Sequence, residues 1–289
     1  MRKPLESVPR PRLIRPLSFS PAVEVWRARM GRRFVVLRRY LPARPGAPWP
    51  SPPDPAVLAA VNHPALVRFL DCWQDDDAEV HAFAEARGET LADILVRGPL
   101  PPDRWTEVVS RCAAGLRWLH VRCPIAPRLH GDVSPRNILV TGEGRVRWLD
   151  VRADRPGIPM DRPEATSSSA RDCCAIRAPS PACSGGPLAR DGVILGTLPY
   201  LAPEVLRGEP PTEASEVYAL GLVALAAATG PLPWREAASP RDMLAAFDAT
   251  PPAARAVLLP PPAARLLAAM LAPARGDRPT ADDVARHLR

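Results

Sequence analysis

His130-Gly131-Asp132-Val133-Ser134-Pro135-Arg136-Asn137, followed 13 positions after Asn137 by Asp150, is the stretch on which the reading of this chain turns. A carboxylate at 132 can orient or deprotonate an attacking hydroxyl. A carboxamide at 137 and a second carboxylate at 150 supply hard oxygen ligands of the kind that hold Mg2+ against a nucleotide's phosphates. Taken singly, His130 reads as a core histidine and Asp150 as a strand-end cap. Taken together at this spacing, the three polar side chains point to phosphoryl transfer.

The stretch resembles the H-R-D-x-x-x-x-N catalytic loop of protein kinases, and Asp150 falls where that family has the aspartate of D-F-G. Small-molecule kinases share H-G-D strings, so the downstream sequence arbitrates. Gly196-Thr197-Leu198-Pro199-Tyr200-Leu201-Ala202-Pro203-Glu204 resembles the G-T-x-x-Y-x-A-P-E close of a protein-kinase activation segment. Ser215-Glu216-Val217-Tyr218-Ala219-Leu220-Gly221 resembles the head of the helix that anchors the catalytic loop from below. Asp277-Arg278-Pro279-Thr280 matches the family's closing D-R-P-T, whose arginine is expected to pair with Glu204. The resemblance implies an α+β, two-lobed protein-kinase-like fold with a small β-rich N-lobe and a larger helical C-lobe. Expected boundaries are a disordered terminus over 1–12 and a kinase-like domain over 13–289, divided into N-lobe and hinge (13–86) and C-lobe (87–289).

A chain of 289 residues with 46% hydrophobic content suffices for one such domain. The longest apolar run, Val217 to Thr229, is shorter than a membrane span and reads as a buried helix. The start, Met-Arg-Lys-Pro-Leu-Glu, lacks the apolar stretch of a secretory signal, so a cytoplasmic protein is expected. Six cysteines show no C-x-x-C pair or metal-ligand spacing, which favours free thiols. The net charge of +7 is scattered among acids and prolines without a basic run, which argues against nucleic acid as a partner. Lys3 is the only lysine in the chain, and there are 39 prolines.

The N-terminal half departs from the family pattern. Val23–Ala28 and Phe34–Arg38 are β-type runs joined by a turn near Gly31, similar to strands two and three of a kinase small lobe. Aligned so, the resemblance gives ATP contacts at Leu17, Val25, Val36, Arg38 and the hinge backbone of Ala84 to Ala86, with Phe83 as gatekeeper. Arg38 stands where the family has its phosphate-binding lysine, and a planar guanidinium is not a compact ammonium. The expected phosphate loop, Ser18 to Val23, contains no glycine, and Pro21 lacks an N–H. Asp54 aligns with the lysine-pairing acid of the family. Directly before Pro55, however, it reads as an N-cap, so an Arg38–Asp54 pair and a helix cap are the two alternatives.

The segment from Ala153 to Gly192 is rich in Pro, Ser, Arg and Gly and is read as a disordered insertion in the activation segment. Ser167, Ser168 and Ser169 are candidate phosphorylation sites within it. Ser134 and Arg136 depart from the Ser/Thr pattern, whereas Thr197 follows it. The implied catalytic residues are Asp132 and Arg136, with Asn137 and Asp150 as Mg2+ ligands. Three functions stand: a Ser/Thr protein kinase of weak or atypical activity acting on a protein substrate with ATP and Mg2+, a pseudokinase scaffold, and a small-molecule kinase. The last does not account for Gly196–Glu204 and Arg278.

Overall fold

A computed structural model describes residues 11–20, 22–42, 52–123, 128–151 and 197–288, together with the strand pair at 175–176 and 194–195. The first part is a five-stranded antiparallel sheet of order β1-β2-β3-β5-β4, built from β1 (Arg12–Phe19), β2 (Val23–Met30), β3 (Arg33–Tyr40), β4 (Phe69–Asp75) and β5 (Ala78–Ala84). The β2–β3 turn is made at Gly31, whose φ of 59° suits glycine. Alternating side chains put Ala28, Val35, Leu37, Val80 and Ala82 together in a buried cluster on one face of the sheet. β1 was not anticipated as a strand, and it begins at Arg12, one residue before the expected domain start.

Helix α1 (Pro55–Ala60) is short, six residues, and begins at the Asp54–Pro55 cap. The chain Ala65–Val67 that follows is clamped to the second part of the molecule. Trp148 N–H donates to Ala65 O at 2.7 Å, and Val67 N–H donates to Trp148 O at 3.0 Å.

The second part is helical: α2 (Leu91–Val96), α3 (Pro102–Arg122), α4 (Pro203–Leu206), α5 (Glu213–Thr229), α6 (Pro240–Ala249), α7 (Pro261–Met270) and α8 (Ala281–His287). A three-stranded sheet of β6 (Glu89–Thr90), β7 (Ile138–Val140) and β8 (Val146–Trp148) sits at its inner end, and β9 (Ala175–Ile176) pairs antiparallel with β10 (Ile194–Leu195). Helix α5 is buried along nearly its whole length, which explains its uninterrupted apolar sequence. It starts at a reciprocal cap between Thr212 and Ser215. Leu116, Leu119, Ile138, Trp148, Leu220 and Val284 belong to one core that joins α3, α5, α8 and the β7–β8 hairpin.

This is the expected α+β arrangement, β-rich first and helical second. Among the described residues no helix is long and apolar enough to cross a membrane. Cys72, Cys112 and Cys123 are free thiols. The terminal residues 1–10, Pro21, and all of the 153–192 segment except β9, including Ser167–Ser169, lie outside the described residues.

Candidate active site

The stretch 130–137 leads directly into β7, and Asp150 follows β8 two residues after Trp148. The hairpin register sets Ile138 opposite Trp148, and Leu149 N–H donates to Asn137 O at 2.8 Å. The hairpin therefore brings Asn137 and Asp150 to the same end. Asn137 Nδ2 donates to Asp132 O at 2.9 Å, which turns the carboxamide oxygen away from that bond and leaves it as an acceptor.

Asp132 is buried. Its Oδ1 accepts the Thr197 backbone N–H at 3.1 Å and the Thr197 hydroxyl at 2.9 Å. These two bonds tie Thr197 to the 130–137 stretch. His130 is fully buried with its ring 4.7 Å from that of Trp148, whose indole N–H donates to Cys112 O at 3.1 Å. Gly131 has a φ of 87°, a conformation that an arginine at this position would strain to adopt. Ser134 is buried and Arg136 is exposed.

A helix anchoring this loop was expected, but the side chains that do so, Glu216 and His120, had not been named from the sequence. Glu216, buried on α5, accepts the Gly131 N–H at 2.7 Å and pairs with His120 Nε2 at 2.8 Å. Burial alone would push its carboxyl up, but His120, His130 and the Gly131 N–H outweigh burial and hold it below the ordinary carboxylate range. The signal for this was an acid directly before the uninterrupted apolar run of α5, since such a group is buried only with partners. Further down, Arg278 pairs with both oxygens of Glu204 at 2.6 and 3.0 Å, as expected. Its other donors reach the carbonyls of Ala272, Ala214 and Pro273, Ser215 Oγ donates to Glu204 at 2.7 Å, and the guanidinium lies 4.6 Å from the Tyr218 ring centre.

On the small sheet, Val25 pairs with Arg38 and Arg38 with His81, while Arg27 pairs with Val36 and Val36 with Phe83. These residues share the face opposite the Val35–Leu37 cluster. Phe83 packs with Phe69 beneath Val57 and Leu58 of α1. Leu17 lies on β1 and is 43% exposed. Ala84 closes β5, and Ala86 is half-buried just beyond it. Between them Glu85 pairs with Arg27, whose guanidinium sits 4.3 Å from the centre of the Phe34 ring. This strap from β2 to the segment after β5 was also unforeseen.

Asp54 caps α1 by accepting the Ala56 N–H at 2.8 Å, which settles the two alternatives in favour of the cap. Arg38 pairs instead with Asp150, 112 residues away in sequence. Asp150 itself adopts φ 57°, which costs a non-glycine residue about 1–2 kcal/mol and is tolerated best by Asp and Asn.

The expected phosphate loop is a closed turn. Ser20 N–H donates to Val23 O at 2.9 Å, Val23 N–H donates to Ser20 Oγ at 2.9 Å, and Ala22 is buried with Val23 and Tyr40. Two N–H groups that a phosphate would need are thus spent within the turn.

For a divalent cation, Asn137 and Asp150 supply suitable oxygen ligands at one hairpin end, with Arg38 already on one Asp150 oxygen. Among the described residues no cluster of three or more His, Cys, Asp or Glu offers another metal site.

Residues 187–288 match the family model described as the protein kinase domain. The chain is 29% identical over 249 residues to Serine/threonine-protein kinase pkn2 of Myxococcus xanthus, covering 83% of this chain and 27% of that protein. Over 225 residues it is 29% identical to Serine/threonine-protein kinase PknL of Mycobacterium tuberculosis, covering 77% and 49%. Over 167 residues it is 32% identical to Serine/threonine-protein kinases PknA of Corynebacterium glutamicum, covering 57% and 29%. The chain spans half or less of the length of each of these relatives.

Proposed function

Because the chain belongs to the eukaryotic-type Ser/Thr protein kinase family, we propose that it transfers the terminal phosphate of ATP to a Ser or Thr hydroxyl of a protein, slowly and with an atypical nucleotide site. The observation that carries this reading is the double hydrogen bond from Thr197 to Asp132. It fixes the Asp132 carboxylate in place, and that carboxylate is the group to orient an acceptor hydroxyl and take its proton.

Asn137 and Asp150 are the residues that would hold Mg2+. The ion supplies neutralisation of phosphate charge when bound. Arg136, exposed beside Asp132, would supply positive charge to the transferring phosphate in place of the lysine that Ser134 replaces. Arg38 would reach the inner phosphates, and Val25, Val36 and Leu17 would cover the base, which would hydrogen-bond the Ala84–Ala86 backbone. Glu216 and His120 act indirectly by fixing the loop at Gly131. The partner is a protein substrate, in a cytoplasmic setting and without nucleic acid or membrane.

A scaffold without catalysis is the second reading. It is favoured by the closed Ser20–Val23 turn and by the Arg38–Asp150 pair, both of which oppose nucleotide binding. Incubation of the protein with γ-labelled ATP, Mg2+ and a generic Ser/Thr substrate separates the two. Label that depends on Asp132 supports the enzyme, and its absence supports the scaffold.

A further inference from the structure

Arg38 and Asp150 meet across the two parts of the molecule, and both are firmly placed. Arg38 lies in the middle of β3, flanked in the ladder by Val25 of β2 and His81 of β5. Asp150 follows a hairpin whose last rung is the bond from Leu149 N–H to Asn137 O. Both side chains are largely shielded from water, at 20% and 9% exposure, so solvent screening weakens the pair only in part.

We propose that Arg38 is a resident cation in the metal position of this cleft: its guanidinium and a divalent metal ion are alternative occupants of the Asp150 carboxylate. The inference rests on the kinase reading of the cleft and concerns how that cleft admits its metal. A guanidinium is permanently charged and cannot be removed by deprotonation. A metal ion bound to the same carboxylate would face it at close range. The metal has little to compete with, because Asn137 and Asp150 are only two protein ligands and one oxygen of Asp150 is already engaged.

A nucleotide resolves the conflict. Its phosphates offer Arg38 a second anion, so the guanidinium exchanges partners as the metal takes Asp150. Metal and nucleotide therefore bind together and each binds weakly alone, with the Arg38–Asp150 pair as the resting, closed state. Arginine makes the closed state firmer than lysine would, because its guanidinium is more weakly hydrated and suits an ion pair largely shielded from water.

The test is a titration of the full chain with Mn2+ alone, reading free Mn2+ by electron paramagnetic resonance, on wild type, Arg38→Met and Arg38→Met/Asp150→Asn. An opposite charge beside a carboxylate changes its affinity for a proton by one to three powers of ten, and a metal ion competes for the same oxygens. Arg38→Met is accordingly expected to bind Mn2+ about tenfold tighter or more than wild type, and the double variant to lose that gain. Arg38→Lys should shift in the same direction by less, and serves if Arg38→Met fails to fold.

Equal Mn2+ affinity in wild type and the Arg38 variants would overturn the proposal, as would a gain that survives loss of Asp150. The outcome is separable from the kinase reading, since the titration needs no phosphoryl transfer. An active kinase with equal Mn2+ affinities sinks only the exchange, whereas tightened Mn2+ binding in a protein that never transfers phosphate sinks only the kinase.

Discussion

The buried carboxylate of Glu216 on α5 accepts the backbone N–H of Gly131 at 2.7 Å, so the buried central helix holds the 130–137 loop through one side chain. The bond has a pH dependence with a definite sign. The folded carboxyl lies below its ordinary value, so its charged form stabilises the fold above the unfolded-chain value of about 4.3. That stability is lost as pH falls below about 4.3 and through the depressed folded value. Glu204, lowered by Arg278 and Ser215 against the effect of burial, acts in the same window. Thermal melting should fall steeply on acidification there, and less steeply in Glu216→Gln. Parallel melting curves for the two proteins would show that Glu216 is not a source of the acid lability.

Arg278 is expected to be indispensable to the large lobe. All its donors are satisfied in a nearly water-free site, and its removal strands the Glu204 carboxylate. Arg278→Ala should cost about 3–5 kcal/mol in denaturant unfolding, or prevent folding. A variant with an unchanged midpoint would mean that the pair does not hold α4 to the chain before α8.

Gly115 on α3 faces Trp148, and a Cβ there would lie 2.6 Å from the indole ring. Trp148 is fully buried, packs on His130 and is held by its indole bond to Cys112 O, so the added methyl has little room to move it. Gly115→Ala should therefore lose about 1–3 kcal/mol by overpacking, despite alanine's better helix propensity, and should slow phosphate transfer by displacing the loop. Urea titration followed by tryptophan fluorescence reads the first effect. Stabilisation instead would show that the core can yield at this point.

Thr197 makes a prediction about chemistry and stability together. Its hydroxyl bond to the buried Asp132 carboxylate is charge-assisted, worth about 1.5–3 kcal/mol. Thr197→Val should slow transfer about tenfold or more and melt several degrees lower, and Thr197→Ser should keep most of the activity and stability. Equal rates for the serine and valine variants would remove Thr197 from the positioning of Asp132.

The large lobe was legible because its motifs stand in order at the expected spacings, and the one pair read from them, Glu204 with Arg278, joins two motifs that each fixed a partner although they lie 74 positions apart. β1 was not legible for a physical reason. Register shifts between Leu13 and Arg15 and again between Pro16 and Ser18 destroy the period-two pattern by which a strand is recognised, and the strand is exposed along its length. Arg38 was correctly placed on β3, but its partner was not read, because Asp150 lies 112 residues away and was taken only as a metal ligand, and only the approach of the two lobes brings the pair together. The N-cap signature of Asp54 before Pro55 pointed to the cap that the structure shows, but left the local pair open as its alternative.

The central claim is that Asp132 performs phosphoryl transfer in a cleft whose large-lobe half is intact. Its most direct test is transfer of label from γ-labelled ATP with Mg2+ to the protein itself or a generic Ser/Thr substrate, comparing wild type with Asp132→Asn and measuring ATP binding to both. The account predicts slow transfer to Ser or Thr by wild type, none by Asp132→Asn, and nucleotide binding nearly equal in the two. Label on wild type no greater than on Asp132→Asn, at ATP concentrations that fill the site, would contradict it.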